Sequence, residues 1–498
     1  MAFLLPPLAL TSLVYGSLVR NYFHDDDFLN LYRIVNRPLL EYLLEPHAGH
    51  LLVTRNSVFA LSYYLFGPRP EFFFSVVLLT HLANVALLFC VIRGFTGSAQ
   101  IACFGAALWG ASPLHEVTLG WYSVYGQVLV GTVLLVFFAQ LDQLAKRRLR
   151  QVPAAVWVLL LLAAATSFGL GLAIAVLSPA VAFLVLPPGP GRRRAVFVLV
   201  PTAAAIPLLY LGLHYVASLY QGSGTLETTL NGLNAWRRMG VMLWQLTTYA
   251  GTYLPFSPLR TSIALPALIP PALVVVATAG LVISFPTTPS LGRRQLLACV
   301  IVCLSCYCLI AAGRGQLLNA RRLSDLEQVR YHYVATIPLT LALCLTLRHL
   351  TGRIAGSTWS ANGTLAAWFV AALIVHSWFG LRLSHQDYAR RETTQAVSTI
   401  RERIAAQPPG STVTIPNRSF VTVGSNWIPR TRFPGWAGVF TIFFDENVVN
   451  GRRVVFSDPD PNVVAAAAGG RRSAGLIVQG EQVVKPWTST PHKAVRNP

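Results

Sequence analysis

Charged side chains are scarce in this sequence. They make up 12% of its 498 residues, where an ordinary soluble domain carries roughly 25%, while hydrophobic residues reach 54% and the mean hydropathy is +0.53. That imbalance excludes a water-soluble fold. Acid is scarcer than base: 19 Asp and Glu face 39 Lys and Arg, for a formal charge of +20. The cationic residues are not interleaved with a solvated aromatic surface but sit between apolar runs, so no nucleic-acid partner is expected. The 7 cysteines all lie inside apolar stretches, where thiols act as small hydrophobes, and no disulfide framework is implied. Cys303 and Cys306 spell CxxC without a second pair or a histidine nearby, which is not a zinc pattern. No period indicates repeats.

What is abundant is apolar sequence in runs close to the ~20 residues that cross a hydrocarbon core. Such runs fall at 2 to 19, 70 to 92, 97 to 112, 117 to 141, 153 to 168, 170 to 187, 195 to 217, 264 to 284, 295 to 312, 331 to 347 and 364 to 381. The expected fold class is therefore an all-α polytopic membrane protein of about eleven transmembrane helices. Two further apolar segments, 47 to 66 with Arg55 and Asn56, and 236 to 254 with Arg237 and Arg238, read as helices lying on the membrane surface or packed beside the spans.

Short cytoplasmic loops accumulate Lys and Arg. With the N-terminus inside and both ambiguous segments failing to cross, the clusters at Arg93, Lys146 to Arg150, Arg192 to Arg194, Arg293 with Arg294, and Arg348 with Arg353 all face the cytoplasm. The acids then collect on the other face: Asp25, Asp26, Asp27, Glu41, Glu45 and Glu71 in the first outer loop, Glu116 beside His115 in the second, and Asp325 and Glu327 in a later one. Residues 1 to 382 form the membrane domain on this reading. Residues 383 to 498, polar and rich in Gly, Pro and Arg, form a small non-cytoplasmic α+β appendage, with a helix near 386 to 406 and strands near 411 to 415, 438 to 444, 453 to 457 and 475 to 479.

The strongest local signal is Asn21-Tyr-Phe-His-Asp-Asp-Asp-Phe-Leu-Asn30, where the first span ends. Like-charged carboxylates ~5 Å apart at an effective dielectric near 20 cost about 3 kcal/mol per pair. A compensating donor or cation, or a retained proton, is therefore required. One reading is helix capping of the stretch Phe28 to Ile34. The other is a site, because His24, Asn30, Arg33 and Arg37 follow closely and Glu45-Pro-His-Ala-Gly-His50 adds two histidines. His47 and His50 alone suit a surface or substrate contact better than a metal.

With paired acids directly after the first span, Asn36-Arg-Pro-Leu39, Tyr64-Leu-Phe-Gly67 with Pro70, and His81-Leu-Ala-Asn84, residues 1 to 382 resemble the GT-C superfamily of polyprenyl-phosphate-sugar-dependent membrane glycosyltransferases. Within it the protein O-mannosyltransferase-like and lipid A sugar transferase-like families are the most similar. Ser112-Pro-Leu-His-Glu116 with Trp121 is similar to the family's Pro-x-His-x-Glu outer loop, one residue short, and Arg330-Tyr-His-Tyr333 with Pro338 to an Arg-Tyr element of a later span. The usual acid pair is here a run of three, and alignment of Asp26-Asp27-Phe28 favours Asp26 as its catalytic member. No tetratricopeptide array follows, which points to a bacterial envelope enzyme of the inner membrane, its site facing the periplasm.

The resemblance implies transfer of a sugar, with inversion, from a polyprenyl-phosphate donor to a glycan, lipid or protein acceptor. It implies Asp26 as base, with Asp25 or Asp27 orienting the acceptor or holding a divalent cation, Mg or Mn. His24, Arg33, His115, Glu116, Arg314, Arg321, Arg330 and Tyr331 are the candidate substrate contacts, the arginines for the departing phosphate. Interfacial anchoring is the alternative for each arginine. The rival class is a transporter or flippase of lipid-linked substrates, against which the nearly charge-free spans speak.

Overall fold

A computed structural model describes residues 2–23, 26–47, 50–149, 151–221, 233–254, 290–314, 330–354, 402, 405–416 and 453–457. The chain divides into two compact units, Met1–Arg390 and Arg391–Pro498.

The first unit is helical. Among the described residues, 5 segments are long and apolar enough to cross a bilayer: Ala2–Arg20, Pro70–Thr96, Tyr122–Ala145, Pro190–Ala217 and Ser290–Gly313. Their elements are α1 (Leu5–Tyr15, extended by 3-10 turns at both ends), α5 (Pro70–Thr96), α8 (Gly126–Ala145), α11 (Pro190–Gln221) and α13 (Ser290–Arg314). Side chains such as Phe197, 80% exposed, and Leu208, 70% exposed, project outward from α11. A water-soluble chain avoids contiguous apolar surface of this kind. The protein is a multi-pass α-helical membrane protein.

The spans expected from the sequence differ in detail. The run 97 to 112 is α6 (Ala99–Gly110), whose 12 residues rise only ~18 Å. The runs 153 to 168 and 170 to 187 are α9 (Ala154–Ser167) and α10 (Leu170–Val185), both shorter than a full crossing and separated by extended backbone at Phe168. The run 117 to 141 is not continuous: α7 (Glu116–Gly120) ends at Trp121, which is extended at φ −124° and ψ 105°, and the long helical segment starts at Tyr122. The run 331 to 347 lies in α14 (His332–Ile354), where His332, Thr336, Thr340 and Arg348 dilute the apolar residues. The spans expected at 264 to 284 and 364 to 381 lie outside the described residues.

The ambiguous segments do not reach span character. In the first, β1 (Pro46–His47) pairs antiparallel with β2 (His50–Leu51), and α4 (Val53–Phe66) follows, on which Arg55 and Asn56 are buried. Residues 233 to 253 form α12 (Leu233–Tyr253), which exposes Trp236 and Trp244, buries Met242, Leu246 and Tyr249, and packs on α13.

Local rules explain the bounds of α5. Pro70 occupies its first turn, where the missing N–H has no intrahelical partner to lose, and Gly97 ends it in the left-handed region at φ 70°. The core forms where α5 meets α6 and α8, and where α10 meets α11 and α13. Gly105 on α6 has no room for a side chain, because a Cβ there would collide with Cys344 of α14 and Ile92 of α5. Small residues at such crossings let helix backbones approach.

The bundle has two distinct ends. At one, Phe23 and Phe59 pack against Phe73 near the start of α5, and the hydroxyl of Tyr210 on α11 accepts a hydrogen bond of 2.8 Å from Leu51 N–H. At the other, Lys146 Nζ donates to Gly94 O at 2.6 Å and pairs with Asp142, and the arginines Arg192 and Arg294 gather about Phe183.

In the second unit, β3 (Thr412–Pro416) pairs in parallel with β4 (Arg453–Ser457), Thr412 facing Arg453. Parallel strands need a crossover connection, and the residues that make it are not among those described. The strands expected at 438 to 444 and 475 to 479, and most of the helix expected at 386 to 406, also lie outside them.

Candidate active site

The acidic run begins α2 (Asp26–Asn36), so the stretch after Asp25 is helical. Asp27 lies in the first turn of that helix. Its side chain is fully buried, and Oδ1 accepts hydrogen bonds from both the N–H and the hydroxyl of Ser123, each at 2.6 Å. Asn30, one turn along, donates to the same Ser123 hydroxyl at 3.1 Å, and the Tyr42 hydroxyl donates to Asn30 Oδ1 at 3.4 Å. Tyr42 belongs to α3 (Leu39–Leu44). Burial raises its pKa above the usual phenol value, against the opposing pull of the Arg55 and Arg33 guanidiniums. The compensating donors that the acidic run requires thus come, for Asp27, from a distant loop.

The next turns of α2 carry Arg33, and Arg37 directly follows the helix. Both pair with Glu45, Arg33 Nη2 with Oε1 at 3.0 Å and Arg37 Nη1 with Oε2 at 3.0 Å, and Arg37 also meets Glu41 at 3.4 Å. Arg33 is tied to a carboxylate of its own loop. Arg55 is buried beside Tyr42, its Cγ close to where a Cβ on Gly126 would lie. A carbonyl of Ser167 leaves no space for any residue larger than glycine there.

The loop that holds Asp27 also holds an arginine. Thr118 Oγ1 donates to Arg330 O at 2.9 Å, and the Arg330 guanidinium lies 5.0 Å from the Trp121 ring centroid and 5.0 Å from that of Tyr331. Its Nη2 donates to the Tyr331 hydroxyl at 3.0 Å. Stacking between two aromatic faces orients the planar fork of the guanidinium. Segment 118–123 therefore carries a buried carboxylate at Ser123 and an oriented cation at Trp121.

His115 and Glu116 are buried. His115 turns toward the helices, its ring 4.7 Å from Tyr333 and 4.7 Å from Trp109, with Nε2 at 3.4 Å from Thr336 Oγ1. Burial, with His81 and His332 nearby, holds its pKa well below the usual imidazole range, so it is neutral at physiological pH. Glu116 lies near Tyr15, whose hydroxyl donates to Ser112 O at 2.5 Å.

Of the remaining expected residues, His24, Asp25 and Arg321 lie outside the described residues, and of Asp26 and Arg314 the backbone alone is described. Among the described residues no three His, Cys, Asp or Glu converge as metal ligands. His47 and His50 are backbone register partners in the antiparallel pair β1–β2, and the His50 ring packs 5.4 Å from Phe168. Ser123, Tyr42 and Gln127 did not stand out in the sequence. Gln127, an amide at the head of an apolar run, is fully buried and neither end has a hydrogen-bond partner among the described residues.

No family model matches this chain, and no curated protein matches it. Among solved structures, the chain is similar to the crystal structure of ArnT from Cupriavidus metallidurans in the apo state. The two share 16% identity over 90% of this chain and 87% of that one, with a TM-score of 0.33.

Proposed function

We propose that the protein is an inverting glycosyltransferase that moves a sugar from a polyprenyl-phosphate donor to an envelope glycan, lipid or protein acceptor at the non-cytoplasmic membrane face. The observation that carries the reading is the segment 118–123, which binds Asp27 at one end and Arg330 at the other. Such transfer needs a base at the acceptor and positive charge at the departing phosphate.

In this scheme Asp26 takes the acceptor proton as the acceptor oxygen or nitrogen attacks the anomeric carbon. The bond from that carbon to the phosphate oxygen breaks, and the lipid phosphate leaves against Arg330. Asp27 is a positioning residue, since its Oδ1 already accepts two hydrogen bonds from Ser123. Asp25, which with Asp27 would hold a divalent cation, lies outside the described residues, and no step is routed through one. Arg33, paired with Glu45, supports the loop rather than the phosphate.

One observation favours the transporter reading, namely the buried His81 in α5. Ionisable groups at membrane depth often mark transport paths. However, His81 Nε2 lies 2.9 Å from the Gly110 carbonyl, which can only accept, so Nε2 carries the proton and Nδ1 accepts from the Tyr333 hydroxyl at 2.9 Å. Both nitrogens are satisfied, which suits a neutral tie between helices.

The deciding experiment measures sugar release from a polyprenyl-phosphate donor by membranes holding Asp26→Asn protein at normal levels. Turnover near that of the parent protein would remove the proposed base. Modification of a cysteine at position 26 by an impermeant reagent only after membrane disruption would invert the topology and sink the reading.

A further inference from the structure

The end of the bundle opposite Asp27 carries a second arrangement of arginines. Arg192 Cζ lies 4.5 Å from the Phe183 ring centroid and Arg294 Cζ 5.7 Å from it. Arg294 Nη2 also donates to the carbonyls of Phe183 and Leu186, which fixes its position. Among the described residues no carboxylate forms an ion pair with Arg192, Arg193 or Arg294. Like charges gathered over one ring without an acid call for an anion.

Beside them opens a groove of about 790 Å³, walled by Val196, Phe197, Val200 and Pro201 with Arg192 and Arg193 at one end. These residues recur at i, i+4 and i+8 along α11, so they form one stripe ~14 Å long. Its apolar part faces away from the protein, since Phe197 is 80% exposed. A site for a water-soluble phosphate has no use for such a wall, whereas an acyl chain does.

We propose that this groove binds one anionic glycerophospholipid of the surrounding bilayer, its phosphate on Arg192 and Arg193 and an acyl chain along Val196, Phe197, Val200 and Pro201. Basic pockets between spans at the membrane surface suit such headgroups. This lipid is not the sugar donor of the proposed reaction. Gly169, which packs on His50, caps the start of α10, and Phe183 lies near the other end of that helix, ~20 Å along its axis.

The test is native mass spectrometry of the full chain in mild detergent, titrated with palmitoyl-oleoyl phosphatidylglycerol or the matching phosphatidylcholine. The wild type is expected to retain one phosphatidylglycerol in preference to phosphatidylcholine. Arg192→Gln/Arg193→Gln is expected to bind phosphatidylglycerol roughly thirtyfold more weakly, from about one charge-pair increment per arginine, with phosphatidylcholine unchanged. Equal binding of the two lipids by the wild type would overturn the proposal without recourse to any variant. So would full retention by a double variant that elutes as the wild type does, or displacement of the lipid by millimolar inorganic phosphate.

Discussion

Asp27 and Ser123 are joined by two hydrogen bonds to a single carboxylate oxygen, each 2.6 Å long. Bonds to an ionised acceptor are short and about twice as strong as neutral ones. The pairing divides the acidic run, because successive helical side chains point ~100° apart. Asp27 Oδ1 cannot turn to an acceptor without releasing the Ser123 donors.

Ser123→Ala removes the hydroxyl donor to Asp27 and the acceptor of Asn30 while leaving the backbone N–H in place. The expected cost is about 1 to 2 kcal/mol of stability. Because the same segment carries Trp121 against Arg330, KM for the lipid donor should rise several-fold while KM for the acceptor changes little. Steady-state kinetics with each substrate varied in turn checks this, and a uniform fall in kcat alone would dissociate the segment from the donor.

Asp26→Asn and Asp27→Asn should fail in different ways. Loss of a general base lowers turnover by roughly 10² to 10⁴, so Asp26→Asn protein should retain its thermal stability and lose transfer. Asp27→Asn keeps the shape but weakens two charge-assisted bonds, so its melting temperature should drop with a smaller loss of turnover. Paired melting and transfer measurements separate the two, and interchanged outcomes would make Asp27 the base.

Glu45→Gln leaves Arg33 and Arg37 side by side with their shared carboxylate neutralised. Glu45 is largely buried whereas Arg37 is solvated, so the penalty should be moderate, about 1 to 2 kcal/mol. High salt should recover part of it by screening the two guanidiniums. Thermal unfolding at low and high ionic strength reads this directly, and a salt-insensitive loss would point to packing instead.

The membrane class was plain in the sequence, because scarcity of charge and the length of apolar runs are summed over many residues. The same sums blurred local breaks. Trp121, apolar and aromatic, reads as the interior of a span, yet its extended backbone ends α7 and brings Ser123 to Asp27. The isolated polar residues Arg55, Asn56 and Gln127 look like interruptions of apolar runs, and their burial depends on contacts with distant segments. The acidic run and the arginine of Arg330-Tyr331 were visible as unusual residues. Their shared anchor was not, since a serine and a threonine in one loop carry no pattern of their own.

Tyr333 tests whether the buried histidines move protons or hold helices. Its hydroxyl donates to His81 Nδ1 and accepts from Asn84 Nδ2 at 3.1 Å, while Asn84 also donates to Val128 O, so α5, α8 and α14 meet at one phenol. Tyr333→Phe leaves His81 Nδ1 buried without a donor, which should cost about 1 to 3 kcal/mol. If His81 is a tie, the pH profile of transfer should keep its shape and only stability should fall. A proton relay through Tyr333 requires the opposite, a displaced or flattened profile at nearly unchanged melting temperature, and that outcome would make His81 and Tyr333 proton carriers rather than a tie.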